Sequence, residues 1–251
     1  MKLHAVEVIE RERFGDHALL RYRWAGVPPE PGQFVMARTA ASAHSLDPFL
    51  SRPFFAHDYD GETMSLLFEI RGRGTALLAE EDARLMVSDP LGCGYTVGNH
   101  GPVTLVGGGV WVSPLKLLSR VLDRSGIAHD IYLEIPATAP EAYAAWISEN
   151  YPSATLVPTE GAPGLSQTIL ERIGDLSRYA GLYASGPAPM LNAVKCVSGG
   201  KVPAQLAVRE RMACANGSCY GCAVPVWEAA ERTYVRACVE GPVFPAKVLA
   251  W

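Results

Sequence analysis

Over the first hundred residues, apolar positions come in short groups set among polar ones and broken by turn-forming residues. Leu3 to Ile9 and Ala18 to Trp24 are separated by Gly15-Asp16. Gln33 to Arg38 (QFVMAR) follows Pro31-Gly32, and Met64 to Ile70 (MSLLFEI) follows Asp60-Gly61. Short runs with frequent turn signals predict the strands of a barrel or sandwich. One short helix is predicted from Thr75 to Glu81, opened by Gly74-Thr75.

From about Gly101 the rhythm changes. Val103 to Val106 is an apolar run ended by three glycines, and Ser113 to Ser125 reads as a helix, with Pro114 in its first turn and Gly126 after its end. Strand Asp130 to Ile135, helix Glu141 to Asn150, strand Thr155 to Val157, helix Ser166 to Ile173 and strand Gly181 to Ala184 follow in turn. Ala188 to Val197 fits a closing helix. Alternation of this kind predicts a parallel sheet with crossover helices. The last fifty residues abandon it for a cysteine-rich loop and a hairpin, Ala223 to Trp227 with Thr233 to Ala237. Linker-like stretches are confined to Arg38–Pro48 and Cys196–Pro203.

Composition narrows the function classes. Across 251 residues, 49% are hydrophobic and 19% charged, an ordinary globular balance. The net charge of −4 argues against a general nucleic-acid binder, which needs clustered cations. The most apolar stretch, Pro102 to Leu115, is short, rich in glycine and followed by Lys116, so no membrane span is expected. Glu7, Glu10, Arg11, Glu12 and Arg13 stand where a signal peptide would be apolar, and a cytoplasmic location is expected.

Four of the six cysteines cluster as Cys214-x4-Cys219-x2-Cys222-x15-Cys238. Small residues between them let a loop wrap a metal centre, and loop N–H groups can point at sulfur. The x4, x2 spacing matches plant-type [2Fe–2S] loops, with a fourth ligand arriving from further along. A zinc site, usually built from two short knuckles, and plain buried cysteines are the alternatives. Cys93 and Cys196 lie far from this group in sequence and read as small buried hydrophobes.

Two further patterns point to phosphate. Arg52-Pro53-Phe54-Phe55 precedes a strand and offers a cation on an extended segment. Gly72-Arg73-Gly74-Thr75 opens a helix and offers bare N–H groups. Together they can hold a pyrophosphate, although Arg52 alone reads as a solvated charge and the two glycines as an ordinary turn. The run Val103 to Leu115 is strand, glycine turn and helix, an order that favours a nucleotide at the helix start. Tight strand–helix packing is its other reading. Ser185-Gly186-Pro187 makes a second turn, at the same carboxyl edge of the expected sheet.

Taken together these motifs resemble the ferredoxin-reductase-like family, and within it the electron-transfer subunits of two-component dihydroorotate dehydrogenases. The most specific part runs from Glu210 through Cys222 (ERMACANGSCYGC) and from Cys238 to Phe244 (CVEGPVF). The resemblance implies three parts: an FAD-binding antiparallel β-barrel over 1–100, a nucleotide-type parallel α/β domain over 101–197, and a [2Fe–2S] lobe over 198–251. It implies FAD held by Arg52, Pro53, Phe54, Phe55, Leu67, Phe68, Glu69, Gly74 and Thr75, with Gly108 and Gly109 in the nucleotide turn and NAD as a possible further ligand. It implies cluster ligands Cys214, Cys219, Cys222 and Cys238. The implied partner is an FMN-containing catalytic subunit, two such pairs forming a heterotetramer. A different flavoprotein partner, or a zinc-stabilised module that only binds a partner, are the other readings. No side chain stands out for acid–base catalysis. Placing FAD between nicotinamide and cluster reconciles a two-electron hydride with a one-electron carrier.

The sequence departs from the family pattern at several places. Phe55 stands where Ser or Thr is usual, and Glu69 where Arg is usual. Trp111 replaces a glycine of the glycine turn, and Ser185 a cysteine. Glu134 and Pro136 end a strand where small or basic residues are usual.

Overall fold

The computed structural model describes residues 2–80, 84–98, 101–159 and 167–251. Its N-terminal strands are β1 (Leu3–Phe14), β2 (His17–Arg23), β3 (Phe34–Thr39), β4 (Arg52–Phe55), β5 (Asp58–Tyr59), β6 (Thr63–Glu69) and β7 (Arg84–Ser88). They form one antiparallel sheet in the order β4-β3-β7-β1-β2-β6-β5. The sheet curls until β4 packs on β6, a half-barrel whose two edges are not hydrogen-bonded to each other among the described residues. Leu20, Tyr22, Val35, Met64, Leu66, Leu85 and Val87 fill it. Helix α1 (Arg73–Glu80) follows β6; Glu81, its expected last residue, lies outside the described residues.

Arg52–Phe55, expected to lead into a strand, is itself strand β4, paired with β3 (Phe34 opposite Phe55, Ala37 opposite Arg52). Its place at the sheet edge accommodates Pro53, which has no N–H to give a second neighbour. The stretch Arg38–Pro48, expected to be linker-like, carries the end of β3 and a 3-10 turn over Ala41–His44. There the Ser42 hydroxyl donates to the Thr39 carbonyl at 2.9 Å.

The second half alternates as expected: β8 (Val103–Gly108), α2 (Ser113–Arg124), β9 (His129–Pro136), α3 (Glu141–Asn150), β10 (Thr155–Thr159), α4 (Gln167–Ile173), β11 (Gly181–Ser185) and α5 (Ala188–Ser198). Ser166, the expected start of α4, lies outside the described residues. Helix α2 ends on Gly126, whose φ of 68° suits the left-handed position after a helix. Gly126 N–H reaches the Asp123 carbonyl and Ile127 N–H the Leu122 carbonyl, both at 3.0 Å, a paired C-terminal cap.

Three more strands complete the chain: β12 (Ala204–Ala207), β13 (Ala223–Glu228) with β14 (Glu231–Arg236) as a hairpin, and β15 (Val243–Pro245). β12 and β15 join the parallel sheet, whose order is β10-β9-β8-β11-β12-β15, with only the β12–β15 pair antiparallel. The sheet therefore continues past residue 197, and the cysteine-rich segment leaves it after β12 and returns through β15. The hairpin turns on Ala229-Ala230, with φ of 49° and 68°, where Asn-Gly would be usual.

One face of the sheet packs on α2 and α3 through Leu105, Leu115, Leu118 and Ile147. The other packs on α4, α5 and the hairpin in a shared core that contains Ile169, Val194, Val224, Cys222 and Cys238. Asp58 on β5 takes an Arg120 guanidinium N–H from α2 at 2.7 Å, and His17 on β2 stacks on Tyr143 of α3, ring centroids 3.9 Å apart. These contacts fix the half-barrel against the α/β sheet. Among the described residues no helix is long and apolar enough to cross a membrane.

Candidate functional site

A cavity of about 560 Å³ opens where the half-barrel, the turn after β8 and the segment after β12 meet. Arg52, Pro53, Phe54 and Phe55 of β4 form one wall and Leu67, Phe68 and Glu69 of β6 another, with Thr75 at the start of α1. Seven expected residues from two strands thus converge because β4 crosses back over β6. Gly74 is buried behind them: a Cβ there would run into the guanidinium of Arg52. Glycine is what lets that cation lie over the start of α1. The Thr75 hydroxyl accepts from the N–H groups of Arg71 (3.0 Å) and Gly72 (3.2 Å). The N–H groups of Arg73, Gly74 and Thr75 have no helical acceptor, because they form the first turn. A cation, first-turn N–H groups and apolar walls suit a flat ring carrying a diphosphate.

Arg71 lines the same cavity and pairs with Glu69 at 2.7 Å. A positive charge is therefore present near Glu69, two residues further along the chain. That hydrogen bond is the main cause that raises the pKa of Arg71. Its signal in the sequence was only its adjacency to the Gly72 turn. Val110, Trp111 and Ser113 line the opposite side, and Arg209, Glu210, Arg211 and Met212 close the cavity from the cysteine-rich segment. Arg209 stacks on Trp111, the guanidinium carbon 4.7 Å from the ring centroid. Burial lowers the pKa of Arg209 and raises that of Glu210.

Gly108 and Gly109 do not line this cavity. Gly108 is the extended last residue of β8, paired with Glu134, and a Cβ on it would sit 3.1 Å from Glu134 Oε2. Gly109, at φ 55°, turns the chain into a 3-10 turn over Gly109–Val112 that runs straight into α2. The open glycine turn expected from sequence is thus a filled one, closed by the bulk of Val110, Trp111 and Val112.

The cysteine loop begins two residues after Met212. Ala215, Gly217 and Tyr220 take positive φ (52°, 84° and 55°), which coils the loop and turns its N–H groups inward. Cys219 N–H lies 3.4 Å from Cys214 Sγ, and Gly221 N–H 3.4 Å from Cys219 Sγ. The N–H of Asn216 is the main cause that lowers the Cys214 thiol to about 6, the form a metal binds. Burial, together with Cys222 beside it, raises Cys238 to about 11. Arg236 of β14 braces the loop: it donates to the Gly217 carbonyl at 3.4 Å and lies over the Tyr220 ring at 5.3 Å.

The loop brings the four cysteines together: Cys214 and Cys219 lie beside one another, and Cys238 feels both Cys222 and Cys214. Among the described residues no group of three or more His, Cys, Asp or Glu converges on a single-ion site. Four cysteines gathered in a loop lined with N–H groups fit a two-iron, four-cysteine cluster. Cys93 and Cys196 are exposed rather than buried. Cys196 lies on the solvent side of α5. Cys93 lies beside the cluster segment, its Sγ 3.5 Å from the Val239 carbonyl, a proximity that sequence distance concealed.

Residues 209–250 match the iron–sulfur cluster binding domain of dihydroorotate dehydrogenase B. The chain is 32% identical over 235 residues to the dihydroorotate dehydrogenase B (NAD(+)) electron transfer subunit of Caldanaerobacter subterraneus subsp. tengcongensis, covering 91% of this chain and 90% of that one. It is 36% identical over 228 residues to the subunit of the same name from Geobacillus thermodenitrificans, covering 86% and 85%. Among solved structures, an NADH-dependent reduced ferredoxin–NADP oxidoreductase aligns with a TM-score of 0.79 at 23% identity, over 98% of this chain and 90% of that one. Phthalate dioxygenase reductase aligns at 0.66 and 14%, over 94% and 77%. The half-barrel, the parallel sheet and the cysteine lobe are thus a ferredoxin-reductase-like arrangement, and the chain belongs to the family of dihydroorotate dehydrogenase B electron transfer subunits.

Proposed function

We propose that this chain carries electrons between a dihydroorotate-oxidising flavin subunit and NAD or another carrier, using FAD and a [2Fe–2S] cluster. The observation that carries the reading is the continuity of the two sites. Met212 lines the flavin cavity, and Cys214 is two residues on, a span of at most about 7 Å along the chain. Bound FAD supplies the exchange between paired and single electrons, and the cluster supplies the one-electron carrier.

The residues have separable tasks. Arg52 and the first turn of α1 hold the diphosphate, with Thr75 fixing the turn, while Pro53, Phe54, Phe55, Leu67 and Phe68 exclude water from the ring. Glu69 orients Arg71. Cys214, Cys219, Cys222 and Cys238 would hold the cluster. No residue of this chain is assigned a proton-transfer role in dihydroorotate oxidation, which belongs to the partner.

Residues 1–100 form the FAD part, 101–197 the α/β part and 198–251 the cluster part, the last lending β12 and β15 to the sheet. The partner is an FMN-containing catalytic subunit, and two pairs make a heterotetramer. The place of action is pyrimidine synthesis in the cytoplasm, where cysteines stay reduced for a metal. The test is a visible spectrum with iron, zinc, FAD and FMN analysis of the complex co-purified with its partner. FAD and iron–sulfur absorbance with both subunits present is the expected result. Zinc without iron or FAD would overturn it.

A further inference from the structure

The wall opposite the flavin strands is built to stay shut. The 109–112 turn that carries Trp111 is pinned at both ends by buried tyrosines: the Tyr143 hydroxyl donates to the Gly109 carbonyl at 3.0 Å, and the Tyr151 hydroxyl to the Val112 carbonyl at 3.2 Å. Arg209 clamps the indole from the cluster side, 4.7 Å above its ring. Trp111 is therefore a fixed part of the cavity wall that Phe55 and Glu69 also line.

A dinucleotide approaching that wall would use the crevice at the carboxyl edge of the parallel sheet, between the turns after β8 and β11. The segments that rim that crevice are poor in side-chain cations. No Lys or Arg occurs in residues 109–112, 134–140 or 185–190. Glu134 is buried there, its Oε1 without a partner, and Arg209, the cation beside the turn, is committed to the Trp111 ring. The start of α2 is occupied by the 3-10 turn instead of a glycine loop. Pro189 removes an N–H from the first turn of α5, and Met190 packs over Gly186.

We propose that Trp111, clamped by Arg209 on the pinned 109–112 turn, is a specificity-determining residue that keeps pyridine nucleotides away from the flavin cavity. The inference rests on the reading that this cavity holds FAD. It decides the open half of the proposed function: hydride exchange, which needs ring-to-ring contact at about 3–3.5 Å, is closed here. Carriers that exchange single electrons without such contact are the class this chain serves.

The test uses the complex with its partner, after absorbance and FAD analysis have established that flavin is bound; absent flavin would overturn the parent reading instead. NAD(H) and NADP(H) binding is followed by calorimetry, and flavin bleaching by NADH in stopped flow, for the wild type, Trp111→Gly and Arg209→Leu. The wild type is expected to show neither binding nor rapid bleaching. Trp111→Gly should bind NADH and bleach roughly 100-fold faster. Arg209→Leu, which frees the indole without altering the turn, should move both readouts the same way and keeps the test valid if Trp111→Gly does not fold. Rapid bleaching of the wild type overturns the proposal. So does a failure of every folded variant to gain binding.

Discussion

The Nδ1 of His57, on the half-barrel side, donates to the main-chain carbonyl of Ser113 at 2.9 Å, and the carbonyl of His57 accepts from Leu117 N–H at the same distance. One residue of the flavin part is thereby tied twice to the first turns of α2, the helix that follows the Trp111 turn. His57 is 3% exposed, and burial holds its pKa down at about 4, against smaller upward contributions from the Ser113 hydrogen bond and from Asp58. Lys116 and Arg21 also push it down.

Acid should therefore weaken this junction. An unfolded chain takes up the proton near pH 6.5, whereas the folded one resists it until about pH 4. Stability is full above 6.5 and falls as the pH drops through that window, by on the order of 3 kcal/mol from this group. Urea midpoints at several pH values for the wild type and His57→Gln check it. The variant should be less stable at neutral pH and should lose less between pH 6.5 and 4. Parallel curves would contradict the assignment.

Arg52 should govern FAD retention. Replacing it with Ala removes the only cation on β4, and charge-assisted contacts to a phosphate predict a rise in FAD Kd of roughly 10- to 100-fold. Gly74→Val should do the same by displacing the guanidinium that lies over Gly74. Equilibrium dialysis of FAD reads both. Iron content should not change in either variant.

The six cysteines should divide four and two. Cys214→Ser, Cys219→Ser, Cys222→Ser and Cys238→Ser are each expected to abolish iron retention while FAD stays bound. Cys93→Ser and Cys196→Ser should keep full iron, although Cys93 lies beside the cluster segment. Iron and sulfide analysis of the purified complexes settles the division.

The hairpin beside the cysteine loop exposes large aromatic side chains, Trp227 at 50% and Tyr234 at 55%. If the cluster lobe faces the partner, these become covered. Trp227→Ala should weaken subunit association by about 2 kcal/mol, the range of an aromatic interface anchor. Analytical ultracentrifugation of the reconstituted complex measures it, and unchanged association would put the interface elsewhere.

Much of this arrangement was legible because its signals are local. Short apolar strands bounded by turns such as Met64–Ile70, the Pro114 and Gly126 ends of α2, and the Cys214–Cys222 spacing each depend on neighbours within a few residues. What escaped depends on distant ones. β12 (AQLA) and β15 (VFP) are too short to announce themselves and exist because the sheet offers them an edge. The Ala229-Ala230 turn carries no glycine to mark it. Arg209 meets Trp111, and Cys93 meets Val239, only once the cluster segment folds back across the sheet. The glycine run signals close approach without naming the approaching group, and at Gly108 that group is Glu134, which only the pairing of β8 with β9 brings there.

The central claim, a two-iron centre on Cys214, Cys219, Cys222 and Cys238 beside a bound flavin, is tested most directly by low-temperature electron paramagnetic resonance of the dithionite-reduced complex. The account predicts the signal of one reduced [2Fe–2S] centre for each copy of this chain. A silent sample that contains zinc in place of iron would contradict it.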